Sequence, residues 1–183
     1  IKELVLHVPL SVQSEMTACT AVLALSEDLK PQLLDMGICE VLLPLTDSPS
    51  IEVQGNSAAA LGNLSSKADD YAPFNAVWDK PAGGIHGYLV RFLESDDTTF
   101  QHIAVWTLIQ LLESGNAELE QHIRDSPHLL ALVRQLQNRG DADDEHDEND
   151  AGDSQADTTP EKEIAALSRR TEEILFESSR ADS

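Results

Sequence analysis

Apolar residues recur along this chain with the spacing of helix faces, in groups of three helices. Between residues 38 and 45 they fall at i, i+3, i+4 and i+7, which is the pattern of one buried helix face. A shorter helix is predicted before this one at 27–35, closed by Gly37, because glycine ends helices readily in the left-handed conformation. A longer helix is predicted at 51–66, after a turn rich in capping residues.

The same order of short, middle and long helix returns elsewhere in the chain. The long-helix sequence IEVQGNSAAALGNLS at 51–65 aligns with TFQHIAVWTLIQLL at 99–112 after a shift of 47 residues, and a fainter copy lies 39 residues before it. The seven residues Trp78–Gly84 account for the longer spacing. We expect them to form an exposed loop, either packed on the surface or used for docking. Repeats of about 40 residues predict an all-α fold, a stacked helical solenoid, and most solenoids bind other molecules.

The last unit lacks its long helix in sequence order. Residues 139–160 are nearly all polar or small, with nine acidic residues between Asp141 and Asp157, and such a segment is expected to be a disordered linker. Residues 161–177 regain an apolar face and are predicted to return as the missing helix and cap the solenoid. The face comprises Ile164, Leu167, Thr171, Ile174 and Leu175. The predicted domains are therefore repeats at 1–138, the first of them truncated by a cut through a repeat, the linker at 139–160 and the capping helix at 161–177.

Composition narrows the classes of partner. The formal net charge is −21, which disfavours nucleic acid and anionic membrane surfaces and favours basic protein segments. No apolar run is long enough to span a membrane. Cys19 and Cys39 stand among apolar neighbours and are expected to be buried in a reducing compartment. The six histidines show no metal-ligand spacing, and neither a catalytic nor a phosphate-binding motif is present, so no metal, cofactor or enzyme activity is assigned.

The repeat carries a recognisable signature. The pattern V-Q-x-x-[AS]-x-x-A-L-x-N-L-[AS] stands at 53–65 and resembles the armadillo repeat, which implies a right-handed α-solenoid. The stretches IEVQGNSAAALGNLSSK, GGIHGYLVRFLESDDTTFQHIAVWTLIQLLES and IKELVLHVP are similar to one group of this family, the fungal vacuolar armadillo-repeat proteins.

That resemblance implies a non-catalytic adaptor on the cytosolic face of the vacuole, held there by an N-terminal lipidated segment. It implies recruitment of partners for vacuole inheritance, nucleus–vacuole junctions, autophagy-related delivery and vacuole fusion. The chain departs from the group because it lacks the lipidated Gly and Cys segment and most of the repeats, so it is expected to be a C-terminal part. The alternative is an importin-like receptor for basic peptides. A helical enzyme is a third hypothesis, and no set of residues supports it.

The resemblance also implies a binding groove lined by the long helices, in which Asn residues hold a partner's backbone and Trp residues wall its side-chain pockets. Asn63 matches the Asn position, while its Trp position is Ala59; in the next unit Trp106 and Gln110 occupy these positions. The first copy is expected to place Thr20 and Ala24 there. His102 completes the predicted groove. A packing role is the alternative for Asn63 and Trp106, and close helix packing is the expected reason for Gly55 and Gly62.

Overall fold

The structure is a computed structural model that describes residues 5–147 and 159–181. Within these ranges the regular structure is helical, with no strand. The helices are α1 Leu10–Leu23, α2 Lys30–Asp35, α3 Ile38–Leu45, α4 Ile51–Ser65, α5 Ala72–Ala76, α6 Gly84–Leu93, α7 Thr98–Glu113, α8 Ala117–Arg124, α9 Pro127–Asp147 and α10 Pro160–Ala181.

The helices stack as the repeat pattern predicts. The long helices α1, α4, α7 and α10 pack side by side in that order, and the middle helices α3, α6 and α9 each pack against the long helix of their own unit. Short helices α2, α5 and α8 join one unit to the next. This arrangement is an α-solenoid, which confirms the predicted fold class.

Local sequence signals set the helix boundaries. The Ser50 hydroxyl accepts a hydrogen bond from the backbone N–H of Val53, and the Asp97 carboxylate accepts one from the N–H of Thr99 at 2.8 Å. These are the side-chain caps that the orphan amides of a helix start require. Gly37, with φ of 71°, separates α2 from α3 in the left-handed conformation, as the sequence predicts.

The glutamine of the repeat signature has a structural role. Gln54 on α4 donates its side-chain N–H to the carbonyl of Ser48, and Gln101 on α7 donates in the same way to Ser95. Each bond folds the start of a long helix back onto the turn that precedes it. Because the bond recurs 47 residues later, the glutamine belongs to the fold of the repeat rather than to its groove.

A large hydrophobic core runs through the units, and Val5, Leu45 and Val53 form a small separate cluster. The largest fully buried side chains of the core include Tyr88 and Phe74, and α4 contributes Ala58 and Ala60 without any exposed surface. Small residues let neighbouring helices approach closely. Burial also raises the pKa of the Cys39 thiol to about 12, since a thiolate is poorly stabilised in apolar surroundings.

A buried lysine joins the short helix and the long helix of one unit. Lys30, at the start of α2, donates to the carbonyl of Ser66, the residue that follows α4. Desolvation by burial lowers the pKa of Lys30, and the nearby Glu27 carboxylate opposes this effect. A positive charge at a helix C-terminus interacts favourably with the unpaired carbonyls there, so Lys30 holds the end of α4 against α2.

Three expectations are corrected by the structure. Trp78 in the insertion is buried and stacks on His122 with ring centroids 5.2 Å apart, so its side chain belongs to the packing between units. Cys19 is exposed, although Cys39 is buried as expected. Helix α9 continues to Asp147, so the acidic segment begins inside a helix and not in a linker at residue 139. The remainder of that segment, 148–158, lies outside the described residues.

Candidate groove of the long helices

Burial along the long helices defines their mutual register. In α4 and α7 the buried residues coincide after a shift of 47, with Val53, Ser57 and Leu64 matching Phe100, Ala104 and Leu111. In α1 the buried residues Gln13, Thr17 and Ala24 match those of α4 after a shift of 40. The first copy is therefore displaced by one residue from the alignment of 39 that the sequence predicts.

The same comparison places α10 in the series. Its buried residues Ile164, Ala165, Ser168 and Thr171 match Phe100, Gln101, Ala104 and Thr107 of α7 after a shift of 64. The back-bond of Thr107 to the carbonyl of Ile103, 2.8 Å long, recurs as the bond of Thr171 to Leu167 at 3.0 Å. Helix α10 thus lies beside α7 in the place of a long helix.

This register gives the occupants of the two predicted groove positions. The Trp position holds Cys19, Ala59, Trp106 and Arg170, in chain order. The Asn position holds Leu23, Asn63, Gln110 and Ile174. Cys19 and Leu23 replace the expected Thr20 and Ala24, because the shift is 40 residues. Arg170 and Ile174 were not predicted from the sequence, since the acidic segment interrupts the repeat spacing.

Asn63 contacts the neighbouring helix. Its side-chain Nδ2 donates to the carbonyl of Ala21, the two atoms lying 3.0 Å apart. Near the end of α1 the N–H of Leu25 bonds to Val22 at 3.1 Å, which leaves the Ala21 carbonyl for Asn63. The amide has two donors and a carbonyl oxygen, so one donor is used between units and the remaining groups are half-exposed.

Trp106 packs against α4 at a glycine. A Cβ added to Gly62 would lie 2.7 Å from Cζ3 of Trp106 and 2.8 Å from Oγ1 of Thr107. No real side chain tolerates such a distance, so the indole fits only because residue 62 lacks a side chain. Close packing therefore explains Gly62, and Trp106 remains half-exposed with one part of its indole against α4.

His102, Trp106 and Gln110 form one stripe along α7, since they are spaced by four residues. His102 Nε2 lies 3.2 Å from Oε1 of Glu163 on α10. The side chain of Gln110 makes no hydrogen bond to any residue that the structure describes. Ala59 is half-buried on α4. The stripe therefore presents an aromatic ring and an amide side by side.

Carboxylates flank this stripe. Glu163 lies beside His102, and Glu113 is the last residue of α7. Arg170 contacts Glu113 at 3.4 Å and Glu173 at 3.6 Å. Exposed ion pairs of this kind contribute little to stability, and they leave the acidic groups accessible to a partner.

A separate cavity of about 610 Å³ lies outside the stripe, between α8, α9 and α10. Its lining residues are Arg124, Leu130, Arg134, Glu172, Glu173, Leu175 and Phe176. Within the described ranges, His, Cys, Asp and Glu form no group of three or more able to hold a metal ion. None of the helices described is both long enough and apolar enough to cross a membrane.

Comparison with known proteins agrees with this architecture. Residues 26–66 match the model of the Armadillo/beta-catenin-like repeat. An engineered protein of known crystal structure superimposes with a TM-score of 0.66 over 97% of this chain and 67% of its own, at 23% identity, and therefore supports the fold alone.

Three curated relatives are more similar to this chain in sequence than the engineered protein is. Vacuolar protein 8 of Aspergillus oryzae is 56% identical over 95% of this chain and 28% of the relative. That of Schizosaccharomyces pombe is 61% identical over 82% of this chain and 27% of the relative. That of Saccharomyces cerevisiae is 47% identical over 74% of this chain and 23% of the relative.

The chain thus spans about a quarter of the length of these relatives. Its repeat signature, its stacked three-helix units and its sequence similarity all agree. The chain is an armadillo-repeat protein, homologous over most of its length to fungal vacuolar protein 8.

Proposed function

We propose that this chain is part of a non-catalytic adaptor on the cytosolic face of the vacuolar membrane. The homology to vacuolar protein 8 supports the location. We propose that this adaptor attaches to the membrane through an N-terminal lipidated segment. The processes served are vacuole inheritance, nucleus–vacuole junctions, autophagy-related delivery and vacuole fusion.

We further propose that a partner binds along the stripe of α7. The single observation that carries this proposal is that Trp106 and Gln110 lie together on one accessible helix face. They occupy the Trp and Asn positions of α7, one unit further along the solenoid than Asn63. An aromatic ring offers apolar contact for a side chain, and an amide both donates to and accepts from a peptide unit. The surrounding carboxylates favour a basic segment.

Site-specific photo-crosslinking tests the surface. A photoreactive amino acid replaces Gln110 in the protein expressed in yeast, and the crosslinked peptides are identified by mass spectrometry. The matched control is the same replacement at Gln121, an exposed glutamine on α8. We expect position 110 to capture a defined set of extended segments. Equal capture of the same peptides at both positions would exclude a specific groove.

An importin-like receptor for basic peptides is the second candidate. The net charge of −21 favours it. The row of Trp and Asn positions along the long helices is interrupted by Cys19, Ala59, Leu23 and Ile174. This interruption weighs against the importin-like receptor. Fluorescence anisotropy with a lysine-rich peptide distinguishes the two candidates. Tight binding that persists in high salt supports the receptor, whereas weak binding removed by salt supports the adaptor.

A further inference from the structure

The long helix α10 is anchored differently from α4 and α7. Under the shift of 64 residues, Ala104 of α7 corresponds to Ser168, Leu108 to Glu172, and the fully buried Leu111 to the half-buried Leu175. Among the residues of α10 whose burial the structure describes, four are buried, namely Ile164, Ala165, Ser168 and Thr171, and two of these carry hydroxyl groups. Helix α7 buries nine residues. Helix α10 therefore removes less apolar surface from water than the helix it imitates.

Arg124 Nη2 donates to the Leu175 carbonyl of α10 at 2.7 Å, whereas the hydroxyl group and the ion pairs described next add less to the attachment of α10. The Ser168 hydroxyl is buried without a hydrogen-bond partner among the described atoms, and an unpaired buried hydroxyl weakens an interface. Ion pairs join Glu163 to His102, Arg170 to Glu113 and Glu172 to Arg134. All three are at least one-third exposed, so salt screens them and their contribution is small.

The face beneath α10 is apolar. On α9 it includes Leu129, Val133 and Leu136, which belong to the same core cluster as Ile164. A strongly apolar face covered by a weakly anchored helix favours exchange, because a better-matched helix gains free energy by taking that place.

From this contrast we propose that α10 is replaceable, and that the face on α7 and α9 is a binding site for an amphipathic helix of a partner protein. The partner helix carries apolar side chains at the four positions equivalent to Ile164, Ser168, Glu172 and Leu175, with a small one such as alanine at the second, where α7 has the fully buried Ala104. It differs from α10 chiefly at the second and third of these. This site is distinct from the stripe of Trp106 and Gln110, and it takes a helix instead of an extended segment.

The probe for this site is a fluorescein-labelled peptide of residues 160–181 carrying Ser168→Ala and Glu172→Leu, titrated with the full 183-residue chain in anisotropy measurements. We expect it to bind at least about tenfold more tightly than the native-sequence peptide, a difference equivalent to about 1.4 kcal/mol. A third peptide that also carries Ile164→Asp should not bind, since it places a carboxylate in the apolar face.

The matched control puts the same two substitutions into α10 of the chain itself. The improved internal helix then competes with the peptide, and binding should weaken at least about tenfold. Equal binding to both chains would show that the peptide occupies another surface and would overturn the proposal. Absence of binding by the doubly substituted peptide would overturn it as well.

Amide hydrogen exchange provides a second, independent measurement. If α10 leaves the solenoid by itself, its amides exchange faster than those of α7 under native conditions. Equal protection of both helices would mean that α10 opens only on global unfolding, and the proposal would be wrong.

Discussion

At the residue scale, neighbouring positions of α4 serve the contact between units. Gly62 gives Trp106 room on one side of the helix, and Asn63 bonds to the end of α1 on the other. Both lie in the armadillo signature, where Asn63 is expected to bind a partner. In this chain the contact that Asn63 makes is therefore structural, and its part in partner binding is a prediction.

The two glycines of α4 should respond oppositely to alanine. A Cβ at Gly55 would lie 3.5 Å from Cε1 of Phe100, an ordinary contact, whereas one at Gly62 would meet Trp106 at 2.7 Å. Gly55→Ala should stabilise the fold by up to about 1 kcal/mol through helix propensity. Gly62→Ala should destabilise it by about 1–3 kcal/mol through overpacking. Urea unfolding measures both, and similar effects would refute the close packing at Trp106.

Asn63→Ala should lower the free energy of unfolding by about 1 kcal/mol, because the Ala21 carbonyl loses its donor. Asn138→Ala, an exposed position on α9, is the control and should change stability by less than about 0.5 kcal/mol. Reduced partner binding in Asn63→Ala at concentrations where both variants are fully folded would assign the remaining amide groups to the groove. Unchanged binding would leave Asn63 as a contact between units.

The two cysteines should differ in reactivity. Cys19 is exposed and Cys39 is buried, so a thiol reagent should label one cysteine in the folded protein and both after unfolding.

The raised pKa of Cys39, about 12 against 9.0 for a free thiol, means that the folded state holds this proton more tightly. Its contribution to stability is complete below pH 9.0 and declines as the pH rises towards 12. Rapid double labelling at neutral pH would contradict the buried position.

At the element scale, helix α10 is the most informative. Its apolar face predicts a returning helix, and the structure places that helix beside α7 and α9. Val105 and Ile109 are buried in α7. The corresponding positions of α10 hold the charged residues Arg169 and Glu173. Charged residues there make the outer side of α10 polar, which is what the end of a solenoid requires.

Substitutions on the two sides of the α10 face test its role as a cap. Ile164 is buried and Leu167 is half-buried, so Ile164→Asp should detach α10, expose the apolar face beneath it and lower the thermal midpoint, and Leu167→Asp should lower the midpoint by less. Ala166→Asp, on the exposed side, is the control and should have little effect. Thermal unfolding and light scattering report stability and aggregation. Wild-type behaviour of Ile164→Asp would mean that α10 is not needed as a cap.

The helices differ in how far the sequence predicts them. In α6 the buried residues lie on one face, so the existence and position of this helix follow from periodicity. In α3 nearly every residue is apolar, and Cys39 and Leu43 are buried while Ile38 and Val41 of the predicted face are half-buried. Helix α1 carries exposed Val12, Met16, Val22 and Leu23, and apolar residues on several faces obscure its register, which explains the error of one residue. Arg170 was not predicted as a groove residue, because only the packing of α10 against α7 sets its position.

At the scale of the whole molecule, charge is the dominant departure from an ordinary domain. The chain has 33 acidic and 12 basic residues, and most of its described ion pairs are at least partly exposed. A folded state with this net charge is destabilised by its own repulsion. At 0.1 M ionic strength, salt screens the repulsion between exposed charges that are more than about 10 Å apart. The dependence of stability on salt concentration therefore measures this repulsion.

The thermal midpoint should therefore rise when sodium chloride is added to a low-salt buffer. Deleting residues 148–157 removes Glu148, Asp150, Asp153 and Asp157 and should raise the low-salt midpoint while reducing its dependence on salt. A second deletion variant, in which Lys162, Arg169 and Arg180 are also changed to Gln, restores much of the negative charge and should restore the salt dependence. If the deletion lowers the midpoint at every salt concentration, the acidic segment contributes contacts to the folded state, and repulsion does not explain its effect.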